Sequence, residues 1–206
     1  MTNWHQLSTW RTAQRAWRDE RAAQIVEFAV ALPLLVLFVV GIFDFSAAYT
    51  LKQKLTNLAR DTARVAAADP ANDLSNPLPA SISDAFWVVD NYLAANKIND
   101  CGITTSGVTP TGQIWTFSKA SNGCTGTGLV VTINRGYYFP AATTVVPADL
   151  NCTPQATATN QIAVISTCVS IQYAYQWRFG RAIALLGSTI SLPTTITATA
   201  VAMNEN

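Results

Sequence analysis

"AAQIVEFAVALPLLVLFVVGIFDFSAAYTLKQKLTNLARDTARVAA", residues 22–67, decides the fold. Its first half is apolar. From Phe28 to Phe43 there is no charged residue, and only Pro33 and Gly41 interrupt the hydrophobic side chains. As a helix rising about 1.5 Å per residue, Ala22 to Phe43 covers roughly 33 Å, enough to cross a hydrocarbon core. A cleaved secretory signal has a shorter apolar core of about 7–15 residues and ends in a small-residue cut site. Here the run is followed by Asp44-Phe45-Ser46, so a retained anchor is expected over 23–43.

The helical pattern continues beyond the anchor. Leu51, Leu55, Leu58, Thr62 and Val65 recur at alternating spacings of four and three, which is the seam of an amphipathic helix. No Gly or Pro falls between Ile42 and Asp69, and Asp69-Pro70 is a stop signal. One helix is therefore expected from about Ala22 to Ala68, on the order of 70 Å long at 1.5 Å per residue. Pro33 should bend it, because the ring removes a backbone hydrogen bond and crowds the preceding turn. Residues 44–68 form the amphipathic continuation. Glu27 stands out, since a carboxylate at the start of a membrane span costs a few kcal/mol, less near the interface.

Upstream, residues 1–22 form a polar head with three tryptophans. Leu7, Trp10, Gln14 and Trp17 fall at helical spacing between arginines, which fits either an interfacial helix or an unstructured cytoplasmic leader. Arg11, Arg15, Arg18 and Arg21 lie closer to the span than Lys52, Lys54, Arg60 and Arg64. The positive-inside rule then favours a cytoplasmic N-terminus.

Downstream, residues 69–206 read as an exported domain. "PANDLSNPLPASI" (70–82) is a linker, and a short helix is expected over Asp84 to Ala95 with Ser83 as N-cap. Segments 113–118, 128–139, 162–177 and 194–203 are rich in Val, Ile, Thr and aromatic residues and are separated by Gly, Asn and Pro clusters. The expected architecture is α+β: a long N-terminal helix packed on a small antiparallel sheet of about four strands. The sheet must bury one face, and the helix is the nearest cover.

All four cysteines (Cys101, Cys124, Cys152, Cys168) follow the anchor, which suits disulfides in an oxidising space. Three pairings are possible. The sequential one, Cys101–Cys124 and Cys152–Cys168, is favoured, each bridge worth roughly 3 kcal/mol in the chain-entropy model.

Composition narrows the function. Only 12% of residues are charged, against about 25% in typical soluble chains, and the net charge is +1. No basic patch marks a nucleic-acid partner. The single histidine, His5, precedes the anchor, so the exported part holds no Ser-His-Asp or Cys-His arrangement. No C-x-x-C pair, calcium-loop pattern or phosphate-binding glycine motif occurs, and neither a cofactor nor enzymatic activity is expected.

Residues 21–67 resemble the N-terminal signature of TadE-like proteins, the pseudopilins or minor pilins of the tight-adherence (Flp-type) pilus system. That signature has a small residue, four variable positions, Glu-Phe or Glu-Tyr, then an apolar run containing "ALxLP". Here Ala22, residues 23–26 and Glu27-Phe28 match it, and Ala31-Leu32-Pro33 supplies the Leu-Pro that ends the "ALxLP" run. The resemblance implies a pilin-like fold in the bacterial inner membrane, N-terminus cytoplasmic and domain outside, with a role in assembling the pilus. It also implies a prepilin-type leader cut between Ala22 and Ala23 by a membrane peptidase, although the family more often has Gly where Ala22 stands. The implied partners are other pilins or a sister pseudopilin, the inner-membrane assembly machinery, the peptidase and lipid. Helix association in lipid rests on close packing and polar contacts. That makes Glu27, Ala29, Ala31, Pro33 and Gly41 the expected contacts within the span, with Leu51, Leu55 and Leu58 above it. The alternative is a membrane-tethered binding or adhesion module that presents Trp115, Tyr137, Tyr138 and Trp177.

Overall fold

The computed structural model of the chain describes residues 20–70, 72–140, 152–153, 163–178 and 192–205. The interfacial helix considered for the tryptophan-rich head lies outside the described residues. A first helix, α1, runs Glu20–Ala68 with Pro33 inside it and stops immediately before Asp69-Pro70. The chain divides into two units, one ending at Ser46 and the other beginning at Ala47 and holding the sheet.

A second helix, α2, spans Ala80–Ala95 and starts earlier than the sequence predicts. Pro79 occupies the N-cap position with extended backbone, and Ser83 lies inside the first turn, its N–H donating to the Pro79 carbonyl at 3.0 Å. The cap comes from outside the helix: the Ala80 N–H donates to Asp73 Oδ2 at 2.7 Å. A carboxylate there satisfies an orphan N–H and faces the positive end of the helix dipole. Such a long-range cap leaves no local signature.

Among the described residues the sheet has five strands: β1 Val108–Thr111, β2 Ile114–Lys119, β3 Leu129–Pro140, β4 Ala163–Ala174 and β5 Thr195–Met203. They pair in chain order, each neighbour antiparallel. The expected count of about four is thus corrected to five. β1 contains Pro110 and follows Gly107, residues that argue against a strand in sequence. Proline is tolerated because β1 is an edge. It joins β2 through a two-residue turn in which Gly112 takes φ +62, a left-handed value that favours glycine.

One face of the sheet carries the main core. Leu55, Leu58, Ala59, Ala63 and Ala66 of α1 and Ile82, Ala85, Val89 and Leu93 of α2 meet Trp115, Leu129, Val131, Ile133, Val169, Ile171 and Ala198 of the strands. Phe86 of α2 stacks on Phe117 of β2, with ring centroids 4.3 Å apart. The buried Trp115 indole donates to the Pro77 carbonyl at 3.0 Å, which ties the linker down. Tyr137, Cys152 and Cys168 form a smaller cluster with Val201.

Candidate membrane anchor and helix-packing face

Helix α1 is the one described helix long and apolar enough to cross a membrane. Its N-terminal portion is not covered by protein. Phe28 is 64% exposed, Val30 73% and Phe43 73%, and Ile25, Leu34, Leu35, Phe38 and Ile42 are exposed beside them. Each such side chain forgoes about 1.5–3 kcal/mol relative to burial when it stands in water. In hydrocarbon that cost disappears, and the helix satisfies its own backbone groups as lipid requires.

The predicted site residues fall into distinct groups. The Ala22–Ala23 peptide bond lies within α1. Ala23, Glu27, Phe28, Ala29, Ala31 and Pro33 are exposed, Gly41 is buried, Leu51 is half-buried, and Leu55 and Leu58 are fully buried. At 3.6 residues per turn, Glu27, Ala31, Leu34 and Phe38 share one stripe. Ala29, two residues from both Glu27 and Ala31, points to the other side. The exposed candidates therefore do not form one contact face. Gly41, three residues after Phe38, continues the Glu27 stripe and opens the series Gly41, Asp44, Ala48, Leu55 and Leu58, which steps by three, four or seven and is buried throughout. In sequence the seam is legible only from Leu51 onward. Asp44 hid the earlier part, because a carboxylate after an apolar run reads as the edge of the span.

The four cysteines are joined as Cys101–Cys124 and Cys152–Cys168, each pair with Cα atoms 5.5 Å apart. Among the described residues no three His, Cys, Asp or Glu side chains are grouped as metal ligands. Of the four aromatics considered as a recognition face, Trp115 and Tyr137 are buried at 1% exposure and are core. Trp177 donates its indole N–H to the Pro193 carbonyl at 2.6 Å and meets Tyr175 edge-on.

Arg135 was not singled out in sequence. It sits in β3 where the pairing with β4 shifts register between Asn134 and Tyr137, and it is fully buried. Its Nη2 donates to the Asp69 carbonyl at 2.9 Å, directly after α1, while Nε and Nη1 have no hydrogen-bond partner. Burial pulls the guanidinium below its ordinary value, and the charges of Asp69 and Asp73 act the other way. The Arg135 carbonyl accepts from Asn204 Nδ2 at 3.3 Å, and the Glu205 N–H donates to Ala67 at 3.4 Å. The end of α1, the bulged strand and the segment after β5 are thereby joined.

Burial, followed by the charge of Asp100, raises the Tyr173 phenol above its ordinary value of 10.0. Folding then favours the protonated phenol. Its contribution to stability is complete below the unfolded value and is lost as pH rises through the higher folded value. The urea midpoint should fall above about pH 10, and Tyr173→Phe should flatten that part of the profile.

These features define an α+β protein with an exposed apolar helical run long enough to cross a membrane and a disulfide-clamped antiparallel sheet. Residues 22–64 match the model of a family described as TadE-like protein, which covers α1 nearly to its end and stops short of α2 and the sheet. No curated protein and no solved structure matches it significantly.

Proposed function

We propose that this chain is a minor pilin or pseudopilin of a tight-adherence pilus. It is held in the inner membrane by residues 23–43, with its N-terminus cytoplasmic and its sheet unit on the outer side. Its work is structural: helix α1 packs beside the helices of other pilins or of a sister pseudopilin. The observation that carries this reading is the exposed apolar surface of α1 within the segment that matches the TadE-like model. A helix bare on most sides among neighbours of the same kind is suited to lateral packing in lipid.

Glu27 has a role in this scheme. If a peptidase cuts between Ala22 and Ala23, the new ammonium lies one helical turn before Glu27, close enough to pair with it or with the same residue of a neighbour. The carboxylate also interacts favourably with the N-terminal end of the helix dipole. The test is co-isolation of the tagged full chain, in mild detergent, from cells that assemble the pilus. Pilus components should be recovered with it, and Glu27→Ala should reduce their yield about tenfold, as the loss of ~1.4 kcal/mol would. Recovery of no pilus component would overturn the reading. Wild-type yield with Glu27→Ala would remove only the pairing role.

A further inference from the structure

The sheet unit carries two exposed helical faces of opposite character. On α2, Asp84, Trp87, Asp90 and Asn91 fall on one arc of the helix, opposite the buried Ile82, Ala85, Val89 and Leu93. Trp87 is 61% exposed, the largest side chain that this unit leaves in the open, and a carboxylate stands on either side of it. The neighbouring Phe86 is packed on Phe117, so the local backbone is fixed and Trp87 is held outward. On α1, Lys52, Gln53, Thr56, Asn57 and Arg60 line a shallow open groove, and Arg64 extends its positive end by one turn. Lys52 is already donating to the Thr197 carbonyl. Among the described residues neither Arg60 nor Arg64 is in an ion pair.

We infer that these two faces are the halves of a head-to-tail contact between copies of this chain: the Trp87 face of α2 on one copy docks in the α1 groove of the next. The occupant follows from chemistry. An indole flanked by two carboxylates suits a groove that offers guanidinium groups, which stack on an aromatic face and pair with carboxylates at the same time. Asn57 and Thr56 supply polar partners for the indole N–H. The complementary faces lie on different helices of one compact unit, and among the described residues no hydrogen bond or ion pair joins them within a copy. A contact between two different faces is heterologous and leaves a free half at each end, which permits growth beyond a dimer. The proposal goes beyond the lateral packing of membrane helices, because it uses only the sheet unit's own surfaces.

The test uses the full chain in liposomes. One population carries Asn91→Cys and a second carries Gln53→Cys, with different tags, and a short bismaleimide links free thiols. The described native cysteines are all in disulfides and do not compete. The expected product is a mixed dimer containing both tags, reduced at least tenfold when the Asn91→Cys copy also carries Trp87→Ala. Changing Asp84 and Asp90 to Lys on that copy should abolish the product, and changing Arg60 and Arg64 to Glu on the other copy should bring it back. Rescue by charge exchange is not expected of a variant that has merely unfolded. A product only between Asn91→Cys copies would show a symmetric contact and overturn the proposal. So would no mixed product at all, as when the Trp87 face lies against lipid, or failure of the exchanged charges to restore it. Co-isolation with pilus components is a separate readout, so the two readings can fail independently.

Discussion

Replacing Leu58 with aspartate is expected to leave the sheet unit unfolded at physiological temperature. Leu58 has no exposed surface and sits at the centre of the face that α1 lays on the sheet and on α2. Shortening such a residue to alanine costs about 2–5 kcal/mol, through lost burial and the cavity left behind. Aspartate adds a carboxylate with no basic partner in that cluster, and the penalty for burying it is several kcal/mol more. The sum reaches the total stability of an ordinary domain, about 5–15 kcal/mol. Two disulfides constrain the unfolded chain but do not replace the lost core. Circular dichroism and urea titration of the oxidised protein should show no cooperative transition for Leu58→Asp and a lowered midpoint for Leu58→Ala. Asn57→Asp, one residue away on the exposed side, should change stability by no more than about 0.5 kcal/mol.

The second large effect lies in the anchor and should leave the sheet unit intact. Val36 and Val39 are exposed in the middle of the apolar run. An arginine near the centre of a span costs about 2.5–3.5 kcal/mol on insertion scales, so Val36→Arg with Val39→Arg costs about 5–7 kcal/mol. At about 1.4 kcal/mol per tenfold, that lowers membrane partitioning by roughly four orders of magnitude. Alkaline extraction of membranes should release the double variant and retain the wild type. The disulfide content and denaturation midpoint of the sheet unit should not change.

Much of this architecture was legible because strong local signals agreed. The repeat of Leu51, Leu55 and Leu58 has helical period, and those residues do face the core. Segments around Trp115, Val131 and Ile171 are rich in β-branched and aromatic residues, and they pair in the order of the chain. The features that escaped depend on tertiary partners. β1 is a strand only because β2 offers a ladder to a Pro-containing edge. The start of α2 is set by Asp73, seven residues before Ala80. The buried place of Arg135 follows from a register shift, which no composition reveals. In the apolar run, the motif draws attention to Glu27, Ala29, Ala31 and Gly41 together, yet helical geometry puts Ala29 on the other side from Glu27, Ala31 and Gly41, and of these Gly41 alone is buried. A motif names residues, and the helix decides which of them share a face.

On the proposed reading one helix serves both as membrane anchor and as the spine of the sheet unit's core. Hydrogen–deuterium exchange on the full chain in lipid nanodiscs tests it most directly. The expected result is slow exchange without a gap from Phe28 through Ala67, with lipid protecting the first part and the sheet the second. Fast exchange across residues 44–50, or a run from Phe28 to Phe43 that exchanges as quickly in nanodiscs as in denaturant, would contradict it.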